Sequence, residues 1–279
     1  MSRSHPSPSA TSTFLGYFVL LLISVIFLLP LGWMLVTALK DPSEIFSRAW
    51  PEDFKWGNFS SVFQQPTLPF GLFIWNSIVI AGGCTILSLV VSSVTAFAFA
   101  RLHFPGRDIL FIGVLSTMMV PAIVTMIPSF VLFAHLGWID TFLPFFAPAL
   151  AGSAFQIFFL RQSFLSMPNE LLEAARIDGC SNFRICVQIF IPLAKPTLAT
   201  LGVLTFLGYW NDFMGPLVYL HSNENKTLPV GLMSFSGMFG TQWELLMAAS
   251  LIALLPVLVL FMLCQRYFER GLNMGAVKG

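Results

Sequence analysis

The chain has 279 residues, of which 56% are hydrophobic and only 10% are charged, and its mean hydropathy is +0.81. Soluble domains carry roughly 25% charged residues, so this composition excludes an ordinary soluble domain and indicates a protein embedded in a bilayer. The formal net charge is +1, which gives no reason to expect nucleic acid as a partner.

Apolar runs alternate with polar loops along the whole chain. Residues 1–12 are rich in Ser, Pro and Thr and are expected to form a disordered cytoplasmic tail. The remainder, 13–279, is expected to be a single transmembrane domain, because its apolar runs are close to or longer than the ~20 residues that span a bilayer. The predicted spans are 13–39, 74–100, 109–134, 142–160, 196–218 and 245–263. The expected fold class is therefore an all-α membrane protein with six transmembrane helices.

Lysine and arginine are distributed unevenly between the two sides that these spans define. One side holds ten of them and the other holds four, Lys40, Arg48, Lys55 and Lys226. An excess of basic residues marks the cytoplasmic side. Both termini and the long segment between the fourth and fifth spans, 161–195, are therefore predicted to be cytoplasmic.

The segment 161–195 is polar and contains its own helix start and stop signals. Pro168 can open a helix, and Gly179 most easily adopts the left-handed conformation that ends one, so a first helix is predicted to stop at Asp178. Ser181 or Asn182 can cap a second helix. The result is a helix-turn-helix over 168–192.

The second helix of this element carries an apolar stripe and is predicted to end at a proline. The stripe has helical spacing and consists of Phe183, Cys186, Val187 and Phe190. Pro192 lacks the amide that would continue the helix. An apolar stripe on a cytoplasmic element requires a partner, which is either the membrane surface or the groove of another protein.

The order E-A-A, three residues, Gly, nine residues, Ile, one residue, an aliphatic residue and Pro resembles the coupling-loop signature of bacterial ABC importer permeases. Ile191 stands where Leu is usual. The resemblance implies contact with an ATPase, and the residues expected to provide it are Glu173, Ala174, Ala175, Asp178, Gly179, Ile189 and Pro192.

Four further segments resemble the carbohydrate-uptake branch of these permeases, specifically the MalG-like member of a permease pair. They are Ala98–Arg107, Met119–Pro121, Trp210–Asp212, and Gly271 with Gly275–Gly279. The resemblance implies the fold of an ABC type I importer permease in the bacterial cytoplasmic (inner) membrane. It also implies a second, MalF-like permease, a homodimeric pair of ATPase subunits and an extracytoplasmic sugar-binding protein, with membrane lipid around the spans.

The sequence contains no motif for catalysis. It lacks His-Glu-x-x-His, Gly-x-Ser-x-Gly and a phosphate-binding Gly-rich loop that ends in Gly-Lys-Ser/Thr. The four histidines are scattered, so no metal site is expected. We therefore expect a permease subunit rather than an enzyme, with no cofactor of its own, while ATP and Mg²⁺ are bound by the partner ATPase.

Polar residues interrupt the fifth span at Tyr209, Trp210, Asn211 and Asp212. An ionisable residue at membrane depth costs at least ~2.5 kcal/mol unless it faces water or a partner, so the stretch is a candidate for the substrate path. The alternative is an interfacial anchor in the aromatic belt. Gln156 and Asn76 are further candidates for the same path, whereas the stripe Ser88, Ser92 and Thr95 is expected to be a close helix-packing face.

Two transport mechanisms are compatible with these features. The coupling loop indicates an ATP-driven importer subunit that forms half of a pore for a sugar or sugar derivative. Asp212, as an acidic residue within a span, would also suit a self-sufficient ion-coupled transporter. Such carriers are commonly built from internal repeats, and no repeat is visible.

Overall fold

The structure, a computed structural model, describes residues 10–65, 67–237 and 240–276. The helices α1 to α14 are Ala10–Ala38, Gly57–Ser61, Phe70–Arg101, Arg107–Ser116, Ala122–His135, Leu143–Ala149, Ala154–Leu165, Glu170–Ile177, Asn182–Ile185, Ile191–Leu193, Lys195–Trp210, Met214–Tyr219, Leu228–Met233 and Trp243–Ala276. Two short strands, β1 (Ser236–Gly237) and β2 (Gly240–Thr241), pair antiparallel. Short 3₁₀ turns cover Pro42–Glu44 and Thr117–Met119. The predicted all-helical fold class is confirmed. The tail predicted for 1–12 lies largely outside the described residues, and α1 begins at Ala10.

Apolar helices long enough to cross a membrane overlap each of the predicted spans, and one bent pair also includes part of the segment predicted to be cytoplasmic. Four segments qualify singly by length and composition: Thr13–Ala38, Phe70–Arg101, Leu143–Leu165 and Trp243–Gln265. Two more are bent pairs, Arg107–Met119 with Ala122–His135 and Asn182–Leu193 with Lys195–Trp210, which bend by 96° and 80°. The described part of the chain therefore holds four spans, or six if each bent pair is counted as one.

The third predicted span, 109–134, is not one straight helix. It breaks at Val120, whose backbone is extended, and α5 starts immediately after Pro121. The ring of a proline clashes with a helical conformation of the preceding residue, so Pro121 forces Val120 out of the helix. The sequence showed the proline but not the size of the bend.

The fourth and fifth predicted spans also have different boundaries in the structure. The fourth contains a turn between α6 and α7, where Gly152 has a φ of +74°, and it continues to Leu165 rather than ending at 160. The fifth, predicted as 196–218, ends as a continuous helix at Trp210, and α12 starts only at Met214.

The chain divides into two compact units, and the first comprises residues 1–65 and 235–252. Its described part contains α1, α2, the β1–β2 pair and the start of α14. The side-chain amide of Asn58 donates hydrogen bonds of 2.9 Å to the carbonyls of Ala38 and Lys40, and thereby closes the end of α1. The buried ammonium of Lys40 donates to the Arg48 carbonyl and lies 5.2 Å from the centre of the Trp33 ring.

The second unit comprises residues 66–234 and 253–279, and α3 is its central helix. This helix packs against α6, α7, α11 and α13. One apolar core includes Phe97, Leu160, Phe164, Ile185 and Phe190, so it joins α3 and α7 to the second helix of the predicted helix-turn-helix. A second core lies elsewhere in the unit and contains Ile80, Cys84, Phe133, Phe145 and Tyr219.

Asp140 connects its own loop to the loop at His221 and Ser222 by hydrogen bonds. Its carboxylate accepts hydrogen bonds from the backbone amides of His221 and Ser222 and from the Ser222 hydroxyl, at 2.9–3.0 Å. These bonds, above all that from the Ser222 amide, lower the pKa of Asp140 to about 2. Asp140 also has a φ of +61°, a conformation that only glycine, asparagine and aspartate adopt readily.

Candidate functional site

The helix-turn-helix has the predicted first helix and the predicted turn. Helix α8 ends with Asp178 as its C-cap, and Gly179 follows with a φ of +74°. The amide of Cys180 donates to the Ala175 carbonyl, and the amide of Gly179 donates to the Arg176 carbonyl, both at 3.0 Å. These two bonds form a Schellman motif, which satisfies helix carbonyls that would otherwise lack a donor.

The second helix begins as predicted but ends differently. The Ser181 hydroxyl accepts a hydrogen bond of 3.3 Å from the Arg184 amide, so Ser181 and not Asn182 is the cap. After α9 the chain forms a π-helical turn over Cys186–Phe190 and then α10. Pro192 does not end the helix. It lies in the first turn of α10, where a missing amide is tolerated, and the helical path continues to Leu193.

One face of the helix-turn-helix is buried against the core of the second unit. Its buried side chains include Leu172 and Ala175 on α8, and Ile185, Cys186 and Phe190 on the second helix. Ile185 and Phe190 are five residues apart, the spacing of a π turn, so the wider turn keeps both on the buried face.

The apolar stripe predicted for the second helix is therefore only partly correct. Cys186 and Phe190 are buried, whereas the Phe183 and Val187 side chains are 67% and 41% exposed. Ile185, which the predicted stripe omits, is buried, and at about 100° per residue it lies about 200° around the helix from Phe183.

The opposite side of the element is exposed and carries both apolar and charged side chains. It carries Ile177, which is 87% exposed, together with Phe183. We call the exposed residues Glu173, Ala174, Ile177, Asp178, Gly179 and Phe183 the outer face. Of the other residues expected to contact an ATPase, Ala175 is buried, Ile189 is half-buried against the core, and Pro192 is exposed.

A second candidate site is a buried set of hydrogen bonds that connects three helices. Gln156 on α7 is 1% exposed. Its side-chain oxygen accepts hydrogen bonds from the Ser88 and Ser92 hydroxyls of α3, both 2.8 Å. Its side-chain nitrogen donates to the Thr205 hydroxyl of α11 at 2.7 Å. The Ser92 hydroxyl also accepts from the Ser153 amide at 3.0 Å.

This hydrogen-bonded set borders a cavity of about 350 Å³. The lining residues are Ser88, Ser153, Gln156, Thr205, Gly208, Tyr209 and Asp212. The wall therefore offers hydroxyl, amide and carboxylate groups beside one aromatic ring. Asp212 is the only charged side chain among these lining residues. Its carboxylate accepts a 3.2 Å hydrogen bond from the Gly215 amide, which positions it just beyond the end of α11.

Three of the six residues proposed for the substrate path line this cavity, namely Gln156, Tyr209 and Asp212. Trp210 is buried and stacks on Phe206, with ring centres 5.5 Å apart. The Asn211 side chain is exposed and donates to a carbonyl of its own helix, that of Leu207.

Asn76 lies elsewhere in the second unit and does not line the cavity. Its side chain is buried and donates to the carbonyls of Glu224 and Lys226 at 2.7 and 3.0 Å, so it holds a loop.

The sequence did not single out Thr205, Ser153 or Gly208. Thr205 precedes Tyr209 by four residues, so helical spacing alone would have placed both on one face of α11. Ser88 and Ser92 lie on a helix-packing face, as expected. In addition, Ser88 borders the cavity. Within the described residues, no cluster of His, Cys, Asp or Glu could hold a metal ion.

Comparison with known proteins identifies the family. Residues 88–274 match the family described as binding-protein-dependent transport system inner membrane component. The chain belongs to this family. The predicted location in the inner membrane and the prediction of a transport permease rather than an enzyme are thereby confirmed.

Individual relatives and a solved structure agree with this assignment. The arabinooligosaccharides transport system permease protein AraQ of Bacillus subtilis (strain 168) is 36% identical over 284 residues and covers 100% of both chains. The trehalose/maltose transport system permease protein MalG of Thermococcus litoralis is 34% identical over 93% of this chain and 94% of its own length. The fold is that of a chain in the crystal structure of a bacterial ABC transporter involved in the import of the acidic polysaccharide alginate. The TM-score is 0.77 and the sequence identity is 24%. The match covers 95% of this chain and 100% of that chain.

Proposed function

We propose that this chain is one of two permease subunits of a sugar importer and lines half of the translocation pathway. A partner ATPase drives it through the helix-turn-helix over 168–192. The observation that carries this proposal is that the element is packed on one face only. Its inner face is buried against the core that contains Phe97 and Phe164, while its outer face presents Ile177 and Phe183.

The outer face has the character of a docking surface. Burying an Ile or Phe side chain stabilises a complex by about 1.5–3 kcal/mol relative to leaving it in water. A short helix that presents apolar anchors suits a groove in a partner protein. The acidic side chains of Glu173 and Asp178 flank these anchors and would meet basic or hydrogen-bonding groups of the ATPase. In this proposal ATP and Mg²⁺ bind to that partner and not to this chain.

The cavity beside Gln156 supports a sugar as the transported molecule. Sugars offer many hydroxyl groups and an apolar ring face, and the cavity offers polar partners together with the Tyr209 ring. The family depends on a binding protein, and the two relatives are named for arabinooligosaccharides and for trehalose/maltose. We propose that an extracytoplasmic sugar-binding protein delivers the sugar and that a homologous permease supplies the other half of the pore.

The distribution of basic residues supports an orientation for this arrangement. Basic side chains concentrate on the helix-turn-helix and on the turn that contains Arg101 and Arg107, so we place these elements and both termini in the cytoplasm. The loops that Asp140 fastens together then face the opposite side, where a binding protein would dock.

The coupling is tested by changing the outer face alone. The double variant Ile177→Ser/Phe183→Ser is compared with Leu193→Ser, an apolar residue that is 52% exposed near the far end of the same segment. We expect the double variant to insert normally into the membrane but to lose co-purification with the ATPase and ATP-dependent uptake. Leu193→Ser should retain both.

Retention of the ATPase by the double variant would overturn the coupling proposal. Uptake by this chain alone in vesicles, driven by a proton or sodium gradient and indifferent to ATP, would support the ion-coupled alternative instead.

The substrate path is tested at Asp212. Asp212→Asn keeps an oxygen that can accept from the Gly215 amide, so it removes the charge and preserves the local hydrogen bond. If the carboxylate binds the sugar, uptake at saturating loaded binding protein should fall about tenfold, as expected for the loss of one hydrogen bond to a charged group. Asn211→Ser is the control, since that side chain bonds to its own helix. Unchanged uptake in Asp212→Asn would assign Asp212 to helix capping only.

A further inference from the structure

Arg101 is a buried arginine at the last residue of α3. It is 6% exposed, and no ion pair among the described residues includes it. Its Nε is buried and has no hydrogen-bond partner. Burying an arginine without a carboxylate is unfavourable unless its other donors are well satisfied, so its contacts must be specific.

The guanidinium group of Arg101 contacts each part of the chain that leads into the helix-turn-helix. One terminal nitrogen donates to the carbonyls of Phe164, in the last turn of α7, and of Met167, in the link that follows. The other terminal nitrogen donates to the side-chain oxygen of Asn169, which immediately precedes α8. The Phe164 carbonyl also accepts a hydrogen bond of 3.3 Å from the Met167 amide, so the arginine is an additional donor that joins α3 to this turn.

The same guanidinium group also reaches the second helix of the element. Its central carbon lies 5.1 Å from the centre of the Phe190 ring, which is fully buried. Phe190 in turn packs against Phe97 at 5.2 Å and Phe164 at 5.8 Å between ring centres. One side chain of α3 therefore touches the entry to α8 and the second helix of the helix-turn-helix.

Helix α3 connects this position to the candidate substrate site. Ser92 precedes Arg101 by nine residues, which corresponds to about 14 Å along a helix at 1.5 Å per residue. Ser92 and Ser88 hold Gln156 beside the cavity. A displacement of the helix-turn-helix that is transmitted to the end of α3 would thus reach the cavity through a continuous helix.

We infer that Arg101 is a positioning residue for energy coupling, because it joins the helix-turn-helix to α3 so that the two move together. This inference rests on the proposed function. The forked, planar guanidinium can satisfy carbonyls and an amide oxygen at once and stack on an aromatic ring, whereas a lysine ammonium cannot reproduce that set. Removal of the Arg101 guanidinium should leave α3 and the helix-turn-helix folded but let them move independently.

The experiment uses the full complex of both permeases, the ATPase pair and the sugar-loaded binding protein in proteoliposomes. The variants are Arg101→Lys and Arg101→Met, and the matched control is Arg107→Lys, whose guanidinium pairs with the neighbouring carboxylate of Asp108. The readout is the amount of sugar transported per ATP hydrolysed, measured beside the basal ATPase rate. This ratio reports coupling, and a general loss of folded protein would not change it.

We expect both Arg101 variants to assemble with the ATPase and to hydrolyse ATP at a near-basal rate. Sugar transported per ATP should fall about tenfold, within the range of roughly 5–150-fold that typical coupling between two sites gives. Arg107→Lys should retain the wild-type ratio. A wild-type ratio in both Arg101 variants, or an equal fall in Arg107→Lys, would overturn the inference.

A second variant covers the case in which the Arg101 variants fail to assemble. Asn169→Ala removes one acceptor and leaves the carbonyl contacts of Arg101 intact, so it should assemble and lower the ratio by a smaller factor. If Asn169→Ala assembles and keeps the wild-type ratio, the inference is overturned. Absence of ATP-dependent uptake in the wild-type complex would instead refute the proposed function.

Discussion

Replacement of Gln156 by leucine removes the centre of the buried hydrogen-bond set while nearly preserving side-chain volume. The variant Gln156→Leu leaves the Ser88 and Ser92 hydroxyls of α3 without their acceptor. It also leaves the Thr205 hydroxyl of α11 without its donor. Gln156 is 1% exposed, but Ser88 and Thr205 border the cavity, so water can replace part of the lost bonding.

The expected cost follows from the number of bonds that are lost. Hydrogen bonds between membrane helices average about 0.6 kcal/mol each and reach about 1.7 kcal/mol. Three such bonds give about 2 kcal/mol. The value should stay near the average, because a serine hydroxyl can turn to a carbonyl of its own helix. Ser93 already does so, since it donates to the Leu89 carbonyl at 2.6 Å.

A double-mutant cycle separates the hydrogen bonds from the change in packing. It combines Gln156→Leu with the pair Ser88→Ala/Ser92→Ala and measures unfolding in mild detergent by the reactivity of the buried Cys84 thiol. If the bonds carry the energy, the triple variant should be more stable than the sum of the two changes predicts, by about 1 kcal/mol. Gln162→Leu is the matched control, because Gln162 is an exposed glutamine on the same helix.

Two results would refute this reasoning. If Gln156→Leu unfolds under the same denaturing conditions as the wild-type protein, the hydrogen bonds do not stabilise the packing of α3, α7 and α11. If the two changes are additive in the cycle, the cost of Gln156→Leu arises from packing alone.

Three further outcomes follow from single residues. Asp140 stabilises the fold at pH values above its ordinary pKa, and this contribution should disappear as the pH falls from about 4 towards 2. In Asp140→Asn the midpoint of thermal unfolding should lose that pH dependence. Gly179→Ala should destabilise the turn by about 1–2 kcal/mol and lower uptake, because the φ of Gly179 is +74°. The cost arises from the backbone alone, since an added Cβ would meet open space. Gly179→Asn should cost less in the same assays. Gly231→Ala should lower the thermal stability more than Gly179→Ala does, because its Cβ would overlap the Phe73 ring.

The sequence could predict those features that depend on neighbouring residues. The left-handed helix end at Gly179 and a cap at Ser181 or Asn182 are local features that residue type predicts, and the structure selects Ser181. The break after Val120 was signalled by Pro121, but a proline does not specify the angle of a bend, which depends on the helices packed around it. The π turn over Cys186–Phe190 could not be read from the sequence, since its wider spacing follows from how the second helix docks.

The candidate substrate site depends on contacts between distant residues. Gln156, Ser88 and Thr205 are separated by 68 and 49 positions, and only the packing of α3, α7 and α11 brings them together. The four-residue stretch that begins at Tyr209 looked like a single polar group. The structure divides it, because successive helical residues point about 100° apart and the helix ends at Trp210.

The polar contacts of α3 fix its register in a way that its apolar contacts cannot. Two apolar helix faces remain in contact if the register shifts by one residue. A hydrogen bond between specific side chains is lost, because that shift combines a rise of about 1.5 Å with a turn of about 100° around the helix. The bonds of Gln156 to Ser88 and Ser92 therefore set α7 against the middle of α3, and those of Arg101 set the entry to α8 against its end. With both points fixed, α3 and the inner face of the helix-turn-helix must shift together or break several buried hydrogen bonds. Transmission of a movement from the helix-turn-helix to the candidate substrate site requires that the two elements shift together. Apolar packing alone would not ensure this.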